Sequence, residues 1–196
     1  QMINCLKAEN MKTEAETLTE HFIHHAEHIA KTGLNYPSSE VNYEQSIVAP
    51  AADILFKAYL LTNDKKYLDA AKKQLDVLEL FNGLQPDYHL YEVAIRHWDG
   101  YWFGKKKMYG DTFPHYWSAL TANVYRAYAE ITGSDEYMKK AESSYRGVMS
   151  MFMPDGSAHC AYVYPVTVNG DEAKYYDAYA NDQDWGLYFM LKHMYF

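Results

Sequence analysis

Ile47-Val48-Ala49-Pro50-Ala51-Ala52-Asp53-Ile54-Leu55-Phe56-Lys57-Ala58-Tyr59-Leu60-Leu61-Thr62 and, 70 positions on, Trp117-Ser118-Ala119-Leu120-Thr121-Ala122-Asn123-Val124-Tyr125-Arg126-Ala127-Tyr128-Ala129-Glu130-Ile131-Thr132 carry one design twice. In the first, Ile47, Ala51, Ile54, Leu55, Ala58 and Leu61 recur at intervals of three and four, the spacing of one helical face. After the short break Asn63-Asp64, Tyr67, Ala71, Leu75, Leu78 and Phe81 form a second face. In the second copy Trp117, Val124, Tyr128 and Ile131 lead to the break Gly133-Ser134, then to Tyr137, Ala141, Tyr145, Val148 and Phe152. Ala49 matches Ala119, Ala52 matches Ala122, Thr62 matches Thr132, Tyr67 matches Tyr137 and Ala71 matches Ala141, so the unit is a helical hairpin followed by a connection. Pro50 predicts that the first helix starts late or is kinked there.

Working outward, residues 12 to 31 read as an amphipathic helix with Leu18, Phe22, Ala26 and Ile29 on one face, closed by Gly33. It resembles the second helix of an earlier hairpin, and Trp185 to Phe196 begins a later one. The fold class expected is all-α, one domain over residues 1–196, with the chain opening and closing inside the repeating pattern. Within hairpins the links are very short. Between them they are long, roughly 82–111 and 153–181, and long ordered connections are usually functional. Asp99-Gly100, and Asn169-Gly170 after the alternating run Tyr162 to Val168, predict short β-hairpins in them. Solenoid repeats run to ~34–47 residues, so a 70-residue unit suits a hairpin toroid better.

Composition narrows the function. A net charge of -8 argues against nucleic acid as the main partner. No apolar run approaches the length of a bilayer-spanning helix, and the start at Gln1-Met2-Ile3-Asn4 carries no signal-peptide pattern. Cys5 and Cys160 are isolated, so no metal pair is expected, and no cofactor motif appears. The unusual quantity is aromatic content, 16%, with 20 Tyr, and with Trp98, Trp102 and Trp117 in one short stretch. Tyr and Trp suit surfaces that are apolar at one end and wet at the other. Sugars fit such linings, although most of the tyrosines read more simply as filling between helices.

The three expected inner helices begin with Asn42-Tyr43-Glu44-Gln45-Ser46, Asp111-Thr112-Phe113-Pro114-His115-Tyr116-Trp117 and Asn181-Asp182-Gln183-Asp184-Trp185. Stacked around an axis, these starts would share one mouth, where unpaired N–H groups favour an anion such as a sugar carboxylate. Carboxyl groups held there can act as acid and as base or nucleophile in glycosidic cleavage. Singly, each reads as a cap: Asn42 with Gln45 and Asn181 with Asp184 fit capping boxes, and Asp111 or Thr112 before Pro114 fits an ordinary helix start. The functional reading rests on coincidence, since the aromatic connection delivers Arg96, His97, Trp98 and Trp102 toward the same end. His21, His24, His25 and His28 lie on one side of the first long helix, where a solvated face is more common than a metal site. Lys105-Lys106-Lys107 reads as a solvated turn, and Asp87, Tyr88, His89, Tyr91 and Glu92 as either cleft lining or ties within the loop.

The runs Ile95 to Gly104 (Ile-Arg-His-Trp-Asp-Gly-Tyr-Trp-Phe-Gly), Gly110 to Ala122 and Tyr179 to Trp185 resemble bacterial six-hairpin glycosidases, in particular the group of glycoside hydrolase family 154 that contains β-glucuronidases. The resemblance covers Tyr43 to the end. It implies an (α/α)6 toroid, an extracytoplasmic, polysaccharide-degrading setting and a uronic acid substrate. Six units at this spacing need roughly 400 residues, so the chain corresponds to about half a ring, whose exposed faces would be covered by an N-terminal half or a second copy. The leading expectation is a glycoside hydrolase with Asp111 and Asp182 or Asp184 as acid and base and Glu44 in reserve. Arg96, His97 and His115 would contact the carboxylate, with Tyr116 nearby and Trp98, Trp102, Trp117 and Trp185 against the sugar. The alternative enzyme is a polysaccharide lyase with Tyr116 or His97 as base and Arg96 or Asn181 neutralising the carboxylate. The third reading is a non-catalytic helical scaffold that binds sugar or protein.

Overall fold

A computed structural model describes residues 1–36, 45–79, 82–83, 93–94, 112–115, 118–149, 152, 154–157, 161–163, 167–168, 171–172 and 183–195. Of the strands, and of residues 45, 46, 183–185, 193 and 195, it describes the backbone. Seven helices among these residues form the body of the chain: α1 (Met2–Ala8), α2 (Lys12–Thr32), α3 (Gln45–Thr62), α4 (Lys65–Leu78), α5 (Ser118–Thr132), α6 (Asp135–Met149) and α7 (Gln183–Tyr195). A 3-10 turn, Gly33–Asn35, follows α2. The chain is all-α in its core, as the periodicity requires. α1 is too short and too exposed to give a periodic signal.

The repeat has a shared chemistry at each tight turn. Asn63 and Gly133, 70 positions apart, both take left-handed backbone, φ 55° and 73°. Their N–H groups return to the carbonyls of Tyr59 and Ala129, each at 2.7 Å, closing the preceding helix. Asp64 then caps α4 by accepting from the Lys66 N–H at 3.0 Å, and Ser134 stands before α6 with a longer 3.4 Å contact from the Tyr137 N–H. Thr62 and Thr132 both donate back to the carbonyl four residues earlier, at 2.8 and 2.7 Å.

Ala51, Leu55 and Ala58 of α3, Tyr67, Ala71, Leu75 and Leu78 of α4, and Ala141, Tyr145 and Val148 of α6 are buried where the spacing put them. Leu61 is a correction: it lies exposed at the end of α3. The late start allowed at Pro50 is another, because α3 runs from Gln45 through Pro50 rather than starting after it. Proline six residues into a helix lacks one N–H, and with its ring on the exposed side it is tolerated.

α3 packs on α4, α5 on α6, and the hairpins meet through α3 and α5, with α7 against α5 and α6. Phe56 meets Tyr128 at 6.0 Å between ring centres, and Asp53 lies close enough to Tyr145, the partner of Asn123, to act on it electrostatically. Sequence order therefore runs the same way along α3 and α5, so both helices start at one end. The outer helices join head to tail. Tyr67 and Lys66, at the start of α4, reach Glu27 near the end of α2, both at 2.9 Å. Lys140 and Tyr137, at the start of α6, reach Glu79 at the end of α4, Lys140 at 2.8 Å. The α2 helix thus stands to α4 as α4 stands to α6, an outer helix of the same series.

Short strands decorate the connections: β1 (Asn82–Gly83), β2 (Val93–Ala94), β3 (Thr112–His115), β4 (Ala161–Val163), β5 (Thr167–Val168) and β6 (Asp171–Glu172). β5 pairs antiparallel with β6 across positions 169–170, the hairpin expected at Asn169-Gly170. The turn expected at Asp99-Gly100 lies outside the described residues, and β2 on its N-terminal side pairs backward with β1.

Candidate functional site

α3 and α5 begin at the same end, as expected for two of the three helix starts that the sequence groups at one mouth. Neither helix has an acidic residue in its first turn, so the partial positive charge of the unpaired N–H groups is not offset from within the helix. The start of α5 differs from that of α3 in one respect the sequence reading missed. Ser118 and Thr121 are completely buried hydroxyl residues, while their counterparts 70 positions earlier are Val48 and Ala51. This exchange within an otherwise matching repeat marks the start of α5 as different in residue type from the start of α3.

Most of the proposed site residues fall outside the described residues: Glu44, Arg96, His97, Trp98, Trp102, Asp111, Tyr116, Trp117, Asn181 and Asp182. Asp184 and Trp185 lie in the first turn of α7, and His115 is the last residue of β3. Lys105 to Lys107, and Asp87, Tyr88, His89, Tyr91 and Glu92, are also outside.

Asp111 needs correction. Residues 112–115 are a strand, and α5 begins only at Ser118, so Asp111 and Thr112 do not open a helix. Pro114, read as a helix-start proline, sits instead in a strand paired with β4. The physical reason is ambiguity in the residue: a fixed φ near −65° suits the first helical position and also an irregular strand. The pairing itself, between two connections some fifty residues apart in sequence, leaves no local signature.

The histidine face of α2 is solvated. His21, His24, His25 and His28 are exposed, and His25 and His28 meet the Tyr36 ring edge-on at 6.1 and 6.0 Å. Among the described residues no group of three or more His, Cys, Asp or Glu is placed to hold a metal. No helix among them is long and apolar enough to cross a membrane.

Most of the titration shifts among the described residues belong to the joints between helices. Hydrogen bonds from Lys66 and then Tyr67 hold the Glu27 carboxyl below its ordinary range, and the Glu27 partner pushes Lys66 up. Burial raises the Tyr137 phenol, with the Glu79 hydrogen bond adding to it, and burial likewise raises Tyr145. Burial works against the charge on Lys140, but hydrogen bonds to Glu79 and Glu136 leave it raised. These groups are structural ties, with acids and bases locked to each other.

With that geometry in place, comparison with known proteins is informative in one direction. The chain matches the solved structure of a polysaccharide lyase with a TM-score of 0.81 and 54% sequence identity, over 96% of this chain and 28% of that one. The chain therefore spans a little over a quarter of that protein's length. No protein-family profile matches the chain. No curated protein matches it either. The similarity supports the helical fold and leaves the resemblance to family 154 glycosidases without support of its own.

Proposed function

We propose that this chain is part of a polysaccharide lyase that cleaves uronic-acid-containing polysaccharide by β-elimination. The observation that carries the reading is 54% identity, across nearly the whole chain, to a protein named as a polysaccharide lyase. It moves elimination ahead of hydrolysis, the leading expectation from sequence.

The chemistry makes distinct demands. A uronate C5–H is acidic enough to remove only when the neighbouring carboxylate is neutralised by a cation or by hydrogen-bond donors. A base must take that proton, and the departing O4 must receive one. In this chain Tyr116 or His97 is the candidate base, Arg96 or Asn181 the neutralising group, and His115 a further carboxylate contact. Trp98, Trp102, Trp117 and Trp185 offer faces for sugar C–H groups. Losing a general base costs roughly a hundredfold to ten-thousandfold in rate.

The test uses the full-length protein on a panel of uronic polysaccharides. An elimination gives products with an unsaturated terminal sugar, seen by ultraviolet absorbance, and takes no oxygen from water labelled with ¹⁸O. New reducing ends that carry the label and show no unsaturation would overturn the proposal and restore hydrolysis.

A further inference from the structure

Lys140, Ser144 and Gly147 follow one another at steps of four and three along α6, so they share one flank of the helix. Lys140 shows which way that flank faces, because its Nζ meets Glu79 at the end of α4 at 2.8 Å. The chain leaving α4 enters β1 at Asn82, and β1 pairs with β2. β2 in turn lies against α6, α5 and β3.

The repeat shows what the flank does. In α4, 70 positions earlier, Gln74 and Val77 stand where α6 has Ser144 and Gly147. Gln74 is buried and its Nε2 donates to the Gly33 carbonyl at 3.1 Å, so in α4 this flank meets the turn that follows α2. By the same rule, the flank in α6 meets the chain that follows α4. There the residues shrink: α4 reaches out with a long amide, whereas Ser144 and Gly147 are small and buried. Hydrogen bonding does not explain the serine, since its Oγ is buried with no hydrogen-bond partner among the described residues, an unfavourable state for a hydroxyl. Helix propensity does not explain the glycine, the poorest helix former after proline. Small size accounts for both, because it lets a strand backbone come close to the helix.

We infer that Ser144 and Gly147 form the seat of β2 on α6, and that they act as positioning residues for the candidate groups next in sequence, Arg96, His97 and Trp98. The bearing on turnover rests on the lyase reading, whereas the seat rests on the stripe and the repeat. Larger side chains there would lift β2 from α6, and a misplacement of about 1 Å far from the chemistry can cost on the order of a hundredfold in rate.

The test gives α6 the residues of α4, as Ser144→Gln and Gly147→Val in the full-length protein, beside the size-keeping Ser144→Ala. Ser143→Gln, the same exchange one residue away at a half-exposed position, is the control. Hydrogen exchange by mass spectrometry, on peptides spanning residues 91–104, reports the seat. Ultraviolet absorbance on alginate, polygalacturonate and hyaluronan, well below the unfolding midpoint, reports turnover. Ser144→Gln and Gly147→Val are expected to exchange roughly tenfold faster in those peptides and to lose about tenfold or more in kcat/KM. Ser144→Ala and Ser143→Gln should match wild type in both. A residue that only stabilised the helices would lower the midpoint and leave kcat/KM of the folded protein alone. Unaltered exchange in folded Ser144→Gln and Gly147→Val overturns the seat, and faster exchange with unaltered kcat/KM overturns the positioning role. If neither variant folds, by circular dichroism, Gly147→Ala decides on the same two readouts. Saturated products from wild type remove the lyase reading and leave the comparison of variants intact. Wild type that cleaves none of the polymers also removes that reading, and exchange alone then decides the seat.

Discussion

Replacing Glu79 with glutamine tests whether successive outer helices are held by a repeated joint. Glu79 accepts from Lys140 at 2.8 Å and from the Tyr137 hydroxyl, while Glu27 plays the same part for Lys66 and Tyr67 one helix earlier. The joints differ in solvent access. The Lys140 and Glu79 side chains are 16% and 29% exposed, whereas Lys66 and Glu27 are 49% and 53% exposed. Shielded hydrogen bonds to charged groups contribute about 1.5–3 kcal/mol, and exposed ion pairs about 0–1 kcal/mol. Glutamine keeps the shape and can still accept from Tyr137, but it removes the charge that faces Lys140. The expected cost is about 1–2 kcal/mol after discounting for partial exposure. For a domain of this size that lowers the unfolding midpoint by roughly 3–6 °C. Thermal unfolding followed by far-ultraviolet circular dichroism, at neutral pH in low and high salt, measures it. Glu27→Gln should shift the midpoint less, and more of its shift should vanish in high salt. If Glu27→Gln costs as much as Glu79→Gln, solvent access does not set the strength of the joints, and if neither moves the midpoint, the head-to-tail joints do not hold the helices together.

Gly133→Ala should destabilise by about 1 kcal/mol: nothing lies within 4 Å of the added Cβ, so the cost is the left-handed backbone, ~1–2 kcal/mol, less a smaller gain from a stiffer unfolded chain. Gly133→Asn should cost less, as Asn63 already occupies the matching turn at φ 55°; chemical denaturation of the two variants checks the order. Pro50→Ala should stabilise by about 1–2 kcal/mol, since it restores a helix N–H at an exposed position, and a lowered midpoint would show that the proline ring packs usefully. Glu27 gives a pH signature. Its folded pKa is depressed, so its contribution is complete above the ordinary value of 4.5 and is lost as pH falls through the lower folded value. Unfolding midpoints of wild type and Glu27→Gln should accordingly converge toward strongly acidic pH, and parallel curves would refute the coupling.

The helices were legible because their signal is local and repeated. The spacing of Tyr67, Ala71, Leu75 and Leu78, and its recurrence at Tyr137, Ala141, Tyr145 and Val148, reports burial on one face, and burial followed at all of them but Tyr137, which is half-buried against the core. The breaks were legible for a related reason: Asn63-Asp64 and Gly133-Ser134 combine a left-handed C-terminal residue with a capping side chain. Much less of the candidate site could be read. Its residues lie in connections where no period constrains them, and Pro114 had two good local meanings, of which helix start was the wrong one. The β3–β4 pairing depends on residues 112–115 meeting residues 161–163, a non-local match that single-sequence patterns do not encode. Only the Ser118 and Thr121 substitutions for Val48 and Ala51 marked the start of α5 as chemically different.

The two chemistries draw on different members of one candidate set. Hydrolysis asks for a pair of carboxyl groups across the scissile bond, which would fall on Asp111 with Asp182 or Asp184. That pairing rests on equivalent positions at the starts of inner helices, and α5 opens at Ser118, after the strand at 112–115, rather than at Asp111. Elimination asks for a base and a neutralised carboxylate, for which Tyr116, His97, Arg96 and Asn181 are the candidates, with His115 as a candidate carboxylate contact. The full-length Asp111→Asn protein should therefore keep most of its turnover while His115→Asn raises KM, measured on the polymer that wild type cleaves. The reverse pattern, an inert Asp111→Asn beside an active His115→Asn, would mean that a carboxyl group does the cutting.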